Sequence, residues 1–426
     1  MSQPTCSDTR RRVLQACEQV FDDCLQLTQD LVAQYPVLHQ EEGALKVLEQ
    51  RLRDLNLEPE RVPLTPHLDH PLHAPTPWDT QGKANLVTEL NAGAAGRKLV
   101  FNGHIDVVPA EPWDMWRRAP NVSVIDGEWL YGRGAGDMLS GVAAMVFAVH
   151  AVQRAGLRIR SPLSIQAVIE EECSGNGALA MLHAGHNGDF VLIPEPFGPT
   201  LLGGQIGVIW LTVRIDGRPA HVLDTAAGLN AIEALKAPMD ALRELEARLN
   251  QDFNTVGPYR DMAHPYNLNI GEIQGGNWPS SVAASAWFSA RLGFPPDMSV
   301  ATIMQLIQDA LAPGQARLHG QGQARMTLRF NGFRSEGHLV DLAHPGIRLL
   351  ADCHQQLVGQ APEPYYATCT TDLRAFHHYS NTAGTCYGPI ARHIHGVDES
   401  VHIESIRQVL HTYALFITRW CEVEAS

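Results

Sequence analysis

Apolar residues return every three or four positions over residues 10–34, at Val13, Cys17, Val20, Cys24, Leu27 and Leu31, and again over residues 41–55, at Leu45, Leu48, Leu52 and Leu55. That spacing keeps one helix face apolar, and it predicts two amphipathic helices broken at Tyr35-Pro36. Residues 58–82 lose all periodicity and crowd prolines and histidines, which predicts a surface loop; its His67, His70 and His73 are a histidine tract with metal binding as the alternative. Apolar runs then predict strands at 84–90, 99–102, 163–169 and 190–193, with a helix over 139–155. Strands alternating with helices imply an open, mostly parallel sheet covered by helices on both faces, with ligands at the carboxyl ends of its strands.

Near residue 205 the pattern changes. A strand at 206–215, a helix at 227–250, strands at 267–274 and 284–292, a helix at 299–311 and a strand at 324–330 follow in the β-α-β-β-α-β order of a ferredoxin-like unit. The alternating style resumes with a helix at 345–357, a strand near Thr385 and a helix at 403–421. The expected fold is therefore α/β: a discontinuous catalytic domain of residues 1–205 and 335–426, with a smaller α+β lid or dimerisation domain, residues 206–334, inserted. Hinges are expected at Gly203-Gly204 and near Ser335, where the chain crosses between the two.

Composition narrows the functional classes. The chain has 426 residues, 45% hydrophobic and 18% charged, too long for one ordinary core. Its net charge of -14, from 32 basic against 46 acidic residues, argues against a nucleic-acid partner, which needs a basic face. Eight scattered cysteines with no Cys-x-x-Cys pair indicate neither a zinc ribbon nor a disulfide scaffold. With no apolar run approaching membrane-spanning length and no signal-like core near Met1, a soluble protein of the reducing cytoplasm is expected.

The candidate chemistry starts at residues 98–137. An apolar run, Leu99-Val100-Phe101, leads into Asn102-Gly103-His104-Ile105-Asp106, and about thirty residues on comes Gly132-Arg133-Gly134-Ala135-Gly136-Asp137. In His104-Ile105-Asp106 the period of two puts imidazole and carboxylate on one face of an extended chain, about 7 Å apart. One can ligate a metal while the other holds the ligand's second ring nitrogen, if the chain turns after Ile105. Acid clusters also follow two later strands, as Glu170-Glu171-Glu172 and Glu195. Such groups are costly at buried strand ends unless paired or metal-bound. His104, Asp137, Glu172, Glu195 and His395 are the candidate ligands; a pair of ions about 3.5–4 Å apart would need a carboxylate between them. Within the acidic triplet, repulsion implies that one acid ligates and another carries a raised pKa suited to a general base. Rival chemistries lack their signatures: there is no Gly-x-Ser-x-Gly elbow, no Walker lysine and no His-Glu-x-x-His, and the third glycine of 132–136 is misplaced for a dinucleotide fingerprint.

The chain resembles the co-catalytic zinc amidohydrolases that include acetylornithine deacetylase, succinyl-diaminopimelate desuccinylase, aminoacylase and the carboxypeptidase G type. The resemblance rests on Gly103-His104-Ile105-Asp106-Val107-Val108-Pro109, Tyr131–Met138, Glu170-Glu171-Glu172, Glu195-Pro196, Pro219-Ala220-His221, Thr370-Thr371-Asp372-Leu373-Arg374 and His395-Gly396-Val397-Asp398-Glu399, in family order. It implies that Asp137 bridges two zinc ions, with cobalt or manganese as substitutes. His104 and Glu195 would complete one ion, Glu172 and His395 the other. It further implies that Asp106 orients His104, that Glu171 is the general base toward a zinc-activated water, and that His221 reaches the site of a second subunit in a homodimer formed through the lid. Arg291, Asn277, Thr370 and Arg374 would contact substrate. The implied reaction is hydrolysis of the amide of a small N-acyl amino acid or N-acyl amine. The alternatives are a dipeptidase or carboxypeptidase, a hydrolytic deaminase, and a non-catalytic protein that keeps the fold.

Overall fold

A mixed sheet of six strands carries the larger core. In the computed structural model, which describes residues 6–64, 70–320 and 324–425, the strand order is Pro59–Pro63, Ala84–Leu90, Leu163–Val168, Leu99–His104, Phe190–Ile193, Ala383–Cys386. The last four run parallel, in register from Leu99↔Leu163 to His104↔Val168 and from Ala383↔Phe190 to Cys386↔Ile193; the first two are antiparallel. Every residue of Leu99–His104 and of Leu163–Val168 is buried. Because successive side chains point to opposite faces, such strands must be covered on both sides. Helices Cys6–Val32, Ser140–Arg154, Pro345–Val358 and Ile403–Trp420 pack on one another in this core, while Met181 of helix Asn176–His183 meets Val62, Val87 and Val168 in a small separate cluster.

A second core draws its buried residues from Ile206 to Phe333. Its antiparallel sheet has the order Leu268–Gly275, Ser285–Phe294, Gly207–Asp216, Arg325–Arg329, backed by helices Lys236–Asp252 and Val300–Gly320. This is the strand order of a β-α-β-β-α-β unit, as the pattern predicts.

Several expectations need correcting. The 58–82 segment contains a strand, Pro59–Pro63, which pairs along one side only, so its prolines cost no ladder bond on the other. His67 lies outside the described residues. His70 packs on Tyr379 and His73 is buried, and among the described residues no metal-sized cluster includes either. Gly203 and Gly204, expected as a hinge, sit inside strand Leu201–Gln205, where a side chain would run into Tyr366 or Leu339. The helix expected to stop at 311 runs through Pro313 to Gly320. Residues 135–154 do have the length and hydropathy of a membrane span, yet 89% of that stretch is buried in the protein, as befits a core helix.

Candidate metal centre

The parallel strands end where the acids and imidazoles begin. His104 closes its strand, Glu170–Glu172 follow Val168, and Glu195 follows Ile193 by two residues. The glycine-rich turn brings Asp137 to the same place: His104 Nε2 lies 3.1 Å from Asp137 Oδ1. Gly134 adopts φ +79°, and a side chain there would collide with Val107 and Leu139, so the tight turn requires glycine. His395, itself at φ +59°, places Nε2 3.1 Å from Glu172 Oε1 and 3.5 Å from Asp137 Oδ2. One ligand atom each from His104, Asp137 and Glu172 fall within 4.8 Å of one another. Asp137, Glu171, Glu172, Glu195, Thr370 and His395 share one cleft of about 660 Å³.

The electrostatics are those of a site built for cations. Burial, followed by repulsion from Asp372, Glu195 and Glu172, holds Glu171 well above the usual carboxylate range despite His104. Burial and then Asp137 do the same to Glu195. For Asp137 the cost of burial is outweighed by hydrogen bonds from His104 and His395, and its proton affinity falls. The half-exposed His395 is pushed up to about 11, chiefly by Glu172. Carboxylates crowded until some must protonate, beside imidazoles driven to their charged form, are relieved by cations. Imidazole nitrogen and carboxylate oxygen are donors that zinc and its neighbours accept, so the residues present fit a metal pair.

The buried surroundings explain how three consecutive acids are tolerated. Glu170, at φ +65°, turns away from the cleft: its carboxylate accepts from Trp78 Nε1 at 2.9 Å and Ser174 Oγ at 2.7 Å, with Lys83 Nζ at 3.6 Å. Asp106 meets His104 chiefly through its main chain. His104 Nδ1 lies 2.9 Å from the backbone carbonyl of Asp106 and 3.8 Å from its carboxylate. That carboxylate instead accepts the backbone N–H groups of Glu171 and Glu172, at 3.2 and 3.1 Å, and so aims the acid pair. Arg374 departs from expectation: it is buried, donates from Nη2 to Ser174 O at 2.9 Å, and does not line the cleft. Thr370 does line it. Arg291 donates to the carbonyls of Thr368 (2.9 Å) and Asn267 (3.4 Å) and does not line the cleft. His221 and Asn277 are exposed on the second body and do not line this chain's cleft.

Sequence reasoning quoted Glu399 within a motif and gave it no role. The structure makes it the anchor of the glycine turn: Oε1 accepts from Gly136 N and Asp137 N, both at 3.0 Å, while Oε2 accepts from Gly134 N at 3.1 Å and Arg133 Nη1 at 2.5 Å. The available signal was a run of backbone N–H groups in a glycine turn with no acceptor in sight. Asp372, buried with neither oxygen hydrogen-bonded, was likewise missed.

A pocket of carboxylates and imidazoles at the carboxyl ends of parallel strands fits a metal pair, and with the family match it makes the protein a metallohydrolase of amide or peptide bonds. The chain belongs to peptidase family M20/M25/M40, which matches residues 100–419. It is 26% identical over 370 residues to the N-formyl-4-amino-5-aminomethyl-2-methylpyrimidine deformylase of Bacillus subtilis, covering 81% of this chain and 85% of that one. It is 28% identical over 407 residues to the succinyl-diaminopimelate desuccinylase of Maricaulis maris, covering 91% and 93%. A di-peptidase of Saccharomyces cerevisiae shares the fold with a TM-score of 0.81 at 15% identity, over 97% of this chain and 99% of that one.

Proposed function

We propose that the protein hydrolyses the amide bond of a small N-acyl amino acid or N-acyl amine, with Glu171 as general base beside two zinc ions. The observation that carries this reading is Glu171 itself: buried, raised in proton affinity, and lining the same cleft as four of the five candidate ligands. Asp137 would bridge the ions, His104 and Glu195 would hold one, and Glu172 and His395 the other; cobalt or manganese would substitute. Bound there, the ions would lower the pKa of a water and polarise the amide carbonyl. Glu171 takes the proton as the water's oxygen bonds to the carbonyl carbon, then returns it to the nitrogen as the carbon–nitrogen bond breaks. The peptide bonds of Glu171 and Glu172 stay oriented by Asp106.

The segment of residues 206–334 is read as a lid and dimerisation domain. Its outermost strand, Leu268–Gly275, has an unpaired edge, and Leu223, Ile273 and Trp278 are 90%, 62% and 68% exposed on the same body. Unpaired edges beside exposed apolar side chains are the features that a second copy covers. His221 would then stabilise the oxyanion in the partner's site, and Asn277, Arg291 and Thr370 would contact substrate on closure. Cys17, Cys24, Cys173, Cys353, Cys369, Cys386 and Cys421 are free, in keeping with a cytoplasmic setting.

The test is a panel of N-formyl, N-acetyl and N-succinyl amino acids and amines run against dipeptides on zinc- or cobalt-loaded protein, read by amine release. Turnover of the acyl compounds above the dipeptides is expected. Preference for dipeptides would replace the deacylase by a dipeptidase.

A further inference from the structure

The cleft's floor and its walls differ in character. Asp137, Glu171, Glu172 and Glu195 form the acidic floor, which two divalent ions would no more than balance. The walls are apolar: Phe197 follows the floor residue Glu195 by two positions, its ring 5.1 Å from that of Tyr365, and Ile390, Ile394, Pro196 and Pro199 continue the surface. Tyr365 and Ile390 are 38% and 41% exposed, so this is apolar surface held open beside the metal ligands. Among the described residues that line the cleft the single basic side chain is His395, and it faces Glu172 and Asp137.

Resting on the hydrolase reading above, the geometry points to a substrate whose group beside the scissile amide is an uncharged, preferably aromatic ring, laid against the surface that the packed rings of Phe197 and Tyr365 form together. Against this wall, whose lining in this chain holds no cationic side chain besides His395, a carboxylate would lose its water without a partner on the wall itself, whereas a ring covers apolar surface and stacks. A succinyl group or an acidic side chain is thereby disfavoured at this wall, although a desuccinylase is among the relatives, at 28% identity.

The test uses metal-loaded protein and two hydroxamates anchored at the ions by the same head, phenylacetohydroxamate and the monohydroxamate of succinate, with affinities measured by calorimetry. N-Acetylbenzylamine and N-acetylglycine are followed for turnover alongside. The aromatic probe is expected to bind about tenfold tighter or better, a difference of about 1.4 kcal/mol. Phe197→Ala and, on strand Pro364–Ala367, Tyr365→Ala should each shrink that gap at unchanged metal content, with the succinate probe moving less than about twofold. A succinate probe that binds equally or more tightly overturns the inference, as does a gap unmoved in both variants. If the probes follow expectation and neither amide turns over, the ring site stands and the amide-hydrolase reading falls; if amides are cleaved but the carboxylate probe wins, only the ring site falls.

Discussion

Replacing Glu399 by Gln tests the anchoring of the metal turn. The wild-type carboxylate offers two oxygens to four donors: Gly136 N and Asp137 N on one, Gly134 N and Arg133 Nη1 on the other. A glutamine keeps one acceptor oxygen, so whichever way the amide is turned, an NH₂ faces two donors. Hydrogen bonds to charged groups are worth about 1.5–3 kcal/mol each, and removing one member of a buried ion pair costs about 3–5 kcal/mol because the other charge stays buried. Arg133 is 3% exposed in its side chain and Glu399 1%, so the buried figure applies. The expected loss is about 3–5 kcal/mol in urea unfolding followed by tryptophan fluorescence. Because Asp137 N is one of the displaced donors, metal affinity should fall by about tenfold or more. Arg133→Met alone should be costly, and the double variant should cost less than the sum by about 2 kcal/mol. An unchanged midpoint and metal affinity in Glu399→Gln, or single effects that add within about 0.5 kcal/mol, would refute the reasoning.

Glu171→Gln removes the proton acceptor without touching a ligand; turnover should drop by about 10² to 10⁴ while the metal content stays that of the wild type, and full activity would overturn the role given to it. His338 is 5% exposed with both ring nitrogens unpartnered, in a cavity also lined by Asp341, His344 and His377, with His378 close by. Burial, with the neighbouring imidazoles, holds its pKa well below 6.5, so the folded protein binds fewer protons than the unfolded chain in the window below 6.5. Its contribution to stability is thus present above 6.5 and lost as pH falls; the urea midpoint should decline from pH 7 to pH 5, and His338→Asn should flatten that slope. Trp278→Asp, on the exposed face assigned to dimerisation, should shift the protein toward monomer in sedimentation and reduce turnover if His221 acts across subunits; an unchanged oligomeric state would remove that assignment.

Much of this was legible because hydrophobic periodicity reports burial directly. Strands Ala84–Leu90 and Phe190–Ile193 begin and end where the pattern puts them, and the ligands stand out because an acid or imidazole follows the runs that end at Phe101, Ile169 and Ile193. What escaped depends on partners far away in the chain. Three-residue strands such as Trp129–Tyr131 and Ser400–His402 are defined by the four-stranded sheet in which they pair with each other and with Val124–Asp126 and Ala391–Arg392, and so short a stretch carries no period. Asp106 looked like an imidazole partner because spacing was the available guide; the turn at Glu170 instead puts two backbone N–H groups against its carboxylate. Arg374 is expected from the resemblance to contact substrate, whereas the fold fills the space above Gly175 with its guanidinium. Charge alone does not reveal which buried arginine is structural.

The convergence of five ligands on shared cations is tested most directly by counting metal. Protein equilibrated with zinc and freed of excess should carry two ions per chain by elemental analysis, and Asp137→Ala, which removes the carboxylate proposed to bridge them, should carry close to none. A wild type that holds less than about one ion and gains no hydrolysis on adding zinc or cobalt, or an Asp137→Ala protein that keeps both ions, would contradict the account.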